Sequence, residues 1–144
     1  MNIFIDSQKR IWVAPYNGGL NCLTRDGKLL ATYTTRNSSL NNNVVLSLAE
    51  REGQIWIGTD GGGINILDPE TGQFSLLEHI PGRDNYSLPA NSILCLYNDR
   101  NNNMWAGSIR NGLISIREVS MKTYKDVLPG NDRGLRNSTV LSLF

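Results

Sequence analysis

The chain has 144 residues, which is enough for one domain with its own core. Apolar residues make up 40% of the chain and charged residues 19%, and the formal net charge is +1. Such a balance gives no electrostatic case for binding nucleic acid or an anionic membrane surface, because both require clustered positive charge. The longest apolar runs have four or five residues, so none can cross a bilayer.

The N-terminal residues Met1 to Asp6 contain no basic region, no apolar stretch of signal length and no small-residue cleavage site. We therefore expect no export signal in the sequence as written, and an internal piece if the parent protein is exported. The two cysteines, Cys22 and Cys95, form no CxxC motif and fall in different repeats. This arrangement favours two buried free thiols.

A tryptophan-centred segment recurs three times along the chain, and each tryptophan is followed seven residues later by a glycine. The pairs are Trp12 and Gly19, Trp56 and Gly63, and Trp105 and Gly112. The steps between tryptophans are 44 and 49 residues. Because all three tryptophans of the chain occupy one repeat position, the pattern indicates structural repetition.

A second apolar element precedes two of the tryptophans and returns at the C-terminus. Its three copies are 45–49, 93–97 and 140–144. A leucine stands five residues before each copy, at Leu40, Leu88 and Leu135. Ile3 and Phe4 match the end of the same element.

The runs between turn signals are short and rich in Val, Ile, Leu, Trp and Tyr, which predicts strands. In the second repeat the predicted strands are 44–49, 54–59, 63–68 and 73–78. In the first repeat Asp26-Gly27 is a strong hairpin signal, because glycine readily takes the positive φ of a tight turn. Four antiparallel strands per period of about 45 residues are typical of a β-propeller blade.

We predict an all-β chain of about three β-propeller blades, each a four-stranded antiparallel sheet, in an incomplete ring. The predicted parts are a blade at 1–43 that lacks most of its innermost strand, blades at 44–91 and 92–138, and the innermost strand of a following blade at 139–144. Three blades cannot close a ring, so the terminal faces are open. We expect self-association or further blades to cover these faces.

The repeated tryptophans and glycines have structural interpretations. Each tryptophan is predicted to pack between blades, with its indole N–H donating to a backbone carbonyl. Each glycine is predicted to allow a close approach of a neighbouring backbone or to take a positive φ.

Catalytic groups are scarce in this sequence. The one histidine, His79, lies beside a proline in a predicted loop, where a structural role is favoured, and a zinc site would need more ligands. The segment 99–103 begins like a calcium loop, but Met104 and Arg110 stand where the glycine and the bidentate glutamate belong. We therefore predict no catalytic residue, no metal and no cofactor.

Three segments of the second repeat resemble the two-component regulator propeller repeat, namely 55–65, 68–74 and 86–93. The first repeat departs from that pattern at 14–17. The third departs at Met104, Ala106 and 109–110, and has 117–120 in place of the Asp-Pro-x-Thr-Gly turn. These departures alter the surface chemistry of one face rather than the fold.

The resemblance implies the periplasmic sensor region of a hybrid two-component histidine kinase of Bacteroidetes. It further implies detection of carbohydrate breakdown products and signalling to transcription. Any kinase activity would lie in a parent chain outside these residues. An oligosaccharide is the ligand that this resemblance implies. From the charge balance we expect neither nucleic-acid binding nor membrane contact for this segment.

Topology predicts one loop face. The connection between the second and third strands of a blade shares a face with the connection to the next blade, and these long connections are expected at 34–42, 79–91 and 127–138. Loops on a rigid scaffold commonly carry function. The candidate ligand-binding residues there are Tyr16, Asn17, Asp60, Arg110 and Asn111, which offer hydrogen-bonding groups and one aromatic ring.

Two alternatives to a sensor remain open. A protein–protein scaffold would need only the loop face and the sheet edges. A propeller lyase or glycoside hydrolase would need acids near the central axis, for which only Asp60, Asp84 and Asp132 qualify.

Overall fold

The computed structural model describes residues 1–81, 88–117, 121–124 and 139–143, with 121–124 described as backbone alone. These residues contain twelve β-strands and no helix, so no described helix could cross a membrane. The strands are β1 Asn2–Ile5, β2 Ile11–Ala14, β3 Leu20–Leu23, β4 Leu29–Tyr33, β5 Val45–Arg51, β6 Gln54–Thr59, β7 Ile64–Leu67, β8 Phe74–Leu77, β9 Ile93–Asn98, β10 Met104–Ser108, β11 Leu113–Ile116 and β12 Met121–Tyr124.

The strands form three sheets of four, and within each sheet they are antiparallel and follow the chain order. We call the sheets blade 1 (β1 to β4), blade 2 (β5 to β8) and blade 3 (β9 to β12). The predicted all-β fold of stacked four-stranded blades in an open ring is confirmed. In blade 2 each strand begins and ends within two residues of its predicted limits.

Blade 1 differs from its predicted form at the innermost strand. The segment Asn2–Ile5 is shorter than β5 or β9, yet it pairs along the whole of β2, from Asn2 opposite Ala14 to Ile5 opposite Ile11. Blade 1 is therefore a complete four-stranded sheet. At the other end of the chain, residues 139–143 belong to no sheet of the described structure.

Two apolar cores lie between the blades. The first joins one face of blade 1 to blade 2, and its buried members are Trp12, Ala14, Leu20, Cys22, Leu40, Val45, Leu48, Ile55, Ile57 and Leu67. The second joins the opposite face of blade 2 to blade 3, and its buried members are Ala49, Trp56, Ile64, Ile66, Leu88, Ile93, Leu96, Met104, Ala106, Ile114 and Ile116. Because blade 2 contributes to both cores, all four residues of β7 are buried.

The outer face of blade 1 is uncovered. Side chains on a strand alternate between faces, so Phe4 packs on the first core while Ile3 and Ile5 point away and are 57% and 60% exposed. Leu29 and Leu30 of β4 are also more than half exposed. The outer face of blade 1 therefore carries two large exposed apolar side chains on its innermost strand.

The innermost strands are linked by small donor side chains. Asn2 Nδ2 donates to the carbonyl of Leu46 at 2.9 Å, and Ser47 Oγ donates to the carbonyl of Ile93 at 3.2 Å. Cys95 Sγ lies 3.5 Å from the carbonyl of Val140. The contact of Cys95 with Val140 is therefore equivalent to the contact of Ser47 with Ile93, the first residue of β9.

Candidate functional site

One face of the molecule gathers the turns after β2, β6 and β10 together with the connections between blades, and we call it the connector face. Gly19 N donates to the carbonyl of Asn43 at 3.0 Å, and Asp60 N donates to the carbonyl of Val44 at 2.9 Å. One connection is thereby hydrogen-bonded to both blades that it joins. The next connection is tied in the same way, since Gly63 N donates to Asn91 O and Ile109 N to Ser92 O.

The three turns share one backbone conformation. Five residues after each tryptophan, Asn17, Gly61 and Arg110 have φ of 51°, 86° and 68°. Seven residues after each tryptophan, a glycine again has positive φ; these glycines are Gly19, Gly63 and Gly112. A Cβ on Gly63 would overlap the carbonyl oxygen of Leu77, so this glycine also permits a close backbone approach.

The five candidate ligand residues all lie in these turns. Tyr16 is 87% exposed, and Asn17 and Arg110 are exposed with left-handed backbone. Asn111 is half-buried. Among the residues that the structure describes, no hydrogen bond or ion pair joins any two of the five. They share a face, and their role in binding remains a prediction.

Asp60 is bound more tightly than an ordinary turn residue. Its carboxylate accepts a hydrogen bond from Ser92 Oγ at 2.8 Å, and its carbonyl accepts one from Asn42 Nδ2. Asp60 therefore ties two successive connections together. The other two acids considered for the central axis, Asp84 and Asp132, lie outside the described residues.

Sequence reasoning missed the asparagines of the first connection. Asn65 is 1% exposed, and its Nδ2 donates to Asn41 Oδ1 at 2.8 Å while its Oδ1 accepts from Asn41 N at 3.1 Å. Asn41 Nδ2 also donates to the carbonyl of Gly62 at 2.8 Å. The run of three asparagines at 41–43 was the sequence feature that could have indicated a hydrogen-bonded connection. These amides hold the connector face in a fixed shape.

His79 also belongs to this framework. Its backbone N–H donates to Asn91 Oδ1 at 2.7 Å, and its ring Nδ1 lies 2.7 Å from the carbonyl oxygen of Leu88. No group of three His, Cys, Asp or Glu side chains suited to a metal is present in the described part of the chain.

Two of the three tryptophans, Trp12 and Trp105, donate their indole N–H to a carboxylate, so the predicted backbone partner was wrong for them. Trp12 Nε1 donates to Asp6 Oδ2 at 2.9 Å, and Trp105 Nε1 donates to Asp99 Oδ2 at 2.9 Å. Each aspartate stands six residues before its tryptophan and begins a five-residue turn between two strands. Asp99 is the first residue of the calcium-like segment, and its carboxylate is thus hydrogen-bonded to a side chain of its own blade.

Both carboxylates are held in the charged form. Burial raises the pKa of Asp6, but the hydrogen bonds from Trp12 and Arg10 outweigh burial and lower its pKa below the ordinary value. The hydrogen bonds from Trp105 and Asn103 lower the pKa of Asp99 well below its usual range. Acid should therefore weaken these contacts.

We expect the chain to lose stability as pH falls below about 4, the ordinary pKa of an aspartate in an unfolded chain. The sign follows from the folded-state pKa of Asp6, which lies below the unfolded value, so its stabilisation is complete above that pH and lost below it. Urea unfolding at a series of pH values should show that the free energy of unfolding of Asp6→Asn falls less on acidification than that of the wild type. Asp26→Asn, at an exposed turn, is the control and should retain the wild-type slope; equal slopes for all three proteins would contradict the prediction.

Comparison with known proteins agrees with the repeat structure. The profile of the two component regulator propeller family matches residues 39–61 and 87–110. No curated protein sequence matches the chain. Each matched segment covers the end of a connection and the first two strands of a blade.

Two solved structures from B. thetaiotaomicron share the architecture. The extracellular domain of BT3049, named as a hybrid two component system, is 27% identical over 90% of this chain with a TM-score of 0.75. The extracellular domain of BT4673, named as a one component system, is 26% identical over 99% of this chain, also with a TM-score of 0.75. This chain spans 18% of the length of either. Residues 39–61 and 87–110 therefore match the two-component regulator propeller repeat, and they lie in consecutive blades of the fold.

Proposed function

We propose that this chain is a ligand-binding part of the sensor region of a hybrid two-component system. The observation that carries the proposal is the likeness, over nearly all of this chain, to the extracellular domains of BT3049 and BT4673. In such a protein the segment acts outside the cytoplasm, in the periplasm, as part of a sensor anchored in the inner membrane. The histidine kinase lies elsewhere in the longer parent chain.

The proposed ligand is a carbohydrate breakdown product, and the proposed binding surface is the connector face. Tyr16 presents an exposed ring, and Arg110 presents an exposed cation on a turn of the next-but-one blade. Both side chains stand on turns whose neighbours are hydrogen-bonded to the blade connections. A rigid base of this kind lets exposed groups bind a ligand at low ordering cost.

A thermal-shift screen against oligosaccharides tests the proposal, because a ligand that binds only the folded state raises the melting temperature. The expected result is a concentration-dependent rise for one class of oligosaccharide, reduced in Arg110→Asn. Asparagine tolerates the left-handed backbone that Arg110 adopts, so the unliganded melting temperature should be retained.

Lys9→Asn is the matched control. Lys9 is also an exposed cation with a φ of 67°, but it lies in the turn between β1 and β2, on the opposite face. It should leave the ligand response unchanged. Equal loss in both variants, or no response from either this chain or the complete propeller, would refute binding at the connector face.

We also infer that the outer face of blade 1 is covered by another blade of the same type. The face of blade 2 that meets blade 1 is apolar in the same way, and the exposure of Ile3 and Ile5 on the outer face of blade 1 favours association. In isolation the chain should therefore self-associate at micromolar concentration in light-scattering measurements. Ile5→Lys should weaken association, whereas Leu76→Lys on β8 should not; a monomeric wild-type chain would contradict the inference.

A further inference from the structure

Two buried N–H donors of blade 2 have no hydrogen-bond partner among the described residues. They are Trp56 Nε1 and Arg51 Nε. Trp56 and Arg51 are only 5% and 8% exposed, so solvent water has little access to hydrogen-bond these two N–H groups. Burying an unsatisfied donor is costly, and burying a charged one is more so.

Blade 1 contains the same pair of donors in a satisfied state. Asp6 Oδ2 accepts from Trp12 Nε1 at 2.9 Å and from Arg10 Nε at 2.6 Å. The guanidinium carbon Cζ of Arg10 lies 5.7 Å from the centre of the Trp12 ring, and that of Arg51 lies 5.8 Å from the centre of the Trp56 ring. The placement of the cation on the indole is therefore repeated in blade 2, although Arg51 ends the strand before the turn whereas Arg10 is the last residue of the turn itself.

Blade 3 satisfies its indole with the same chemistry. Asp99 Oδ2 accepts from Trp105 Nε1 at 2.9 Å and from Asn103 Nδ2 at 2.9 Å. In both flanking blades one carboxylate oxygen thus receives the indole N–H together with a second side-chain donor. A carboxylate oxygen is the acceptor that this part of a blade is built to hold.

The length of one hairpin explains why blade 2 lacks this carboxylate. Residues 6–10 and 99–103 are five-residue turns that begin with the aspartate, whereas Glu52 and Gly53 form a two-residue turn with positive φ at both positions. The acidic residue six places before Trp56 is Glu50, which the shorter turn leaves inside β5. Neighbouring side chains on a strand point to opposite faces, so Glu50 and Arg51 diverge.

The carboxylates of this hairpin are bound to the neighbouring blades. Glu50 accepts hydrogen bonds from Ser7 N at 2.7 Å and Ser7 Oγ at 2.5 Å in blade 1. Glu52 accepts one from Asn102 Nδ2 in blade 3. Arg51 consequently forms no ion pair within the described residues.

We propose that Arg51 and Trp56 form a binding site for the carboxylate of a small organic anion, placed as Asp6 is placed on Trp12. A neutral acceptor would satisfy the two N–H groups but would leave the buried guanidinium charge uncompensated. A carboxylate oxygen satisfies both the hydrogen bonds and the charge. The site lies near the hairpin ends of the blades, away from the connector face, and so is independent of the function proposed above.

Acetate is the probe, and the indole N–H resonances are the readout. The chain has three tryptophans, so a ¹⁵N-labelled sample gives three indole cross-peaks, with Trp56 assigned from Trp56→Phe. Titration of acetate at constant ionic strength should produce a saturating shift of the Trp56 peak, while the peaks of Trp12 and Trp105 stay in place. A Trp56 peak that does not move, or that moves only in parallel with the other two, would overturn the proposal.

Two variants test the assigned residues. Arg51→Gln should weaken the apparent acetate affinity by about tenfold or more, as expected from losing a charge-assisted hydrogen bond. Replacing residues 51–54 with the five-residue sequence of 99–103 removes Arg51 and gives blade 2 a turn with its own aspartate six residues before the tryptophan. In that protein the Trp56 peak should no longer respond to acetate. Because this turn already exists in blade 3, the second variant keeps the test available if Arg51→Gln fails to fold; a retained response would refute the site.

Discussion

Gly63→Ala is expected to lower the free energy of unfolding by about 3 kcal/mol, the sum of a left-handed non-glycine residue and an overpacked contact. Gly63 has a φ of 68°, and a Cβ there would overlap the carbonyl oxygen of Leu77 and lie 3.2 Å from the Cα of Glu78. Both obstacles are backbone atoms at the end of β8, which cannot rotate away as a side chain can. Urea unfolding of the variant and the wild type measures the difference.

Gly72→Ala separates the two causes. Gly72 has a φ of 71°, but a Cβ there would meet no atom within 4 Å. It should therefore cost about 1 kcal/mol, the conformational part alone. Equal losses for the two alanine variants would show that the close approach at Gly63 has no energetic weight.

Trp12→Ala is expected to destabilise the chain by about 3–5 kcal/mol, the usual range for removing a buried aromatic side chain. Trp12 is fully buried in the first core, where its ring stacks on Tyr33 at a centroid distance of 6.3 Å. Its loss would leave a cavity between two blades and remove one of the hydrogen bonds that the carboxylate of Asp6 accepts. The free energy of unfolding from urea titration is the measurement; a loss below about 1 kcal/mol would mean that blade contact does not depend on this ring.

Phenylalanine variants isolate the hydrogen bond. Trp12→Phe and Trp56→Phe make the same change of ring, but only Trp12 donates to a carboxylate within the chain. In buffer free of organic anions, Trp12→Phe should be more destabilising than Trp56→Phe by about 1–2 kcal/mol. Equal effects would indicate that the Asp6 contact contributes nothing net.

The architecture could be predicted from the sequence because each blade needs the same residue types at the same positions. Every blade needs a large apolar ring at one place on its second strand and a glycine where its third strand begins, so the pairs Trp12 and Gly19 and Trp56 and Gly63 recur at one spacing. The strand limits of blade 2 followed from its turn residues. These signals are local and act identically in each blade.

The hydrogen-bond partners of the side chains could not be predicted in the same way. The indole partner depends on whether a carboxylate emerges from a turn or from a strand, and an aspartate or glutamate six residues before each tryptophan does not distinguish the two. The amide contacts of Asn41 with Asn65 depend on how successive blades are placed, which spacing alone does not give. The five candidate ligand residues were placed on one face by topology, but topology does not show which of them a ligand would touch.

Counted between paired strand residues, the hairpin of blade 2 is one residue shorter than those of its neighbours: six residues separate Ala49 from Trp56, whereas seven separate Phe4 from Trp12. That difference leaves the tryptophan, the glycine and the strand pairing of the blade unchanged, and yet it decides whether an internal acid reaches the indole. Insertions and deletions at this turn are therefore a means of giving individual blades different chemistry on a constant scaffold. A comparison of turn lengths blade by blade would identify other repeats in which an arginine and a tryptophan lack an internal carboxylate and could bind one from a separate molecule.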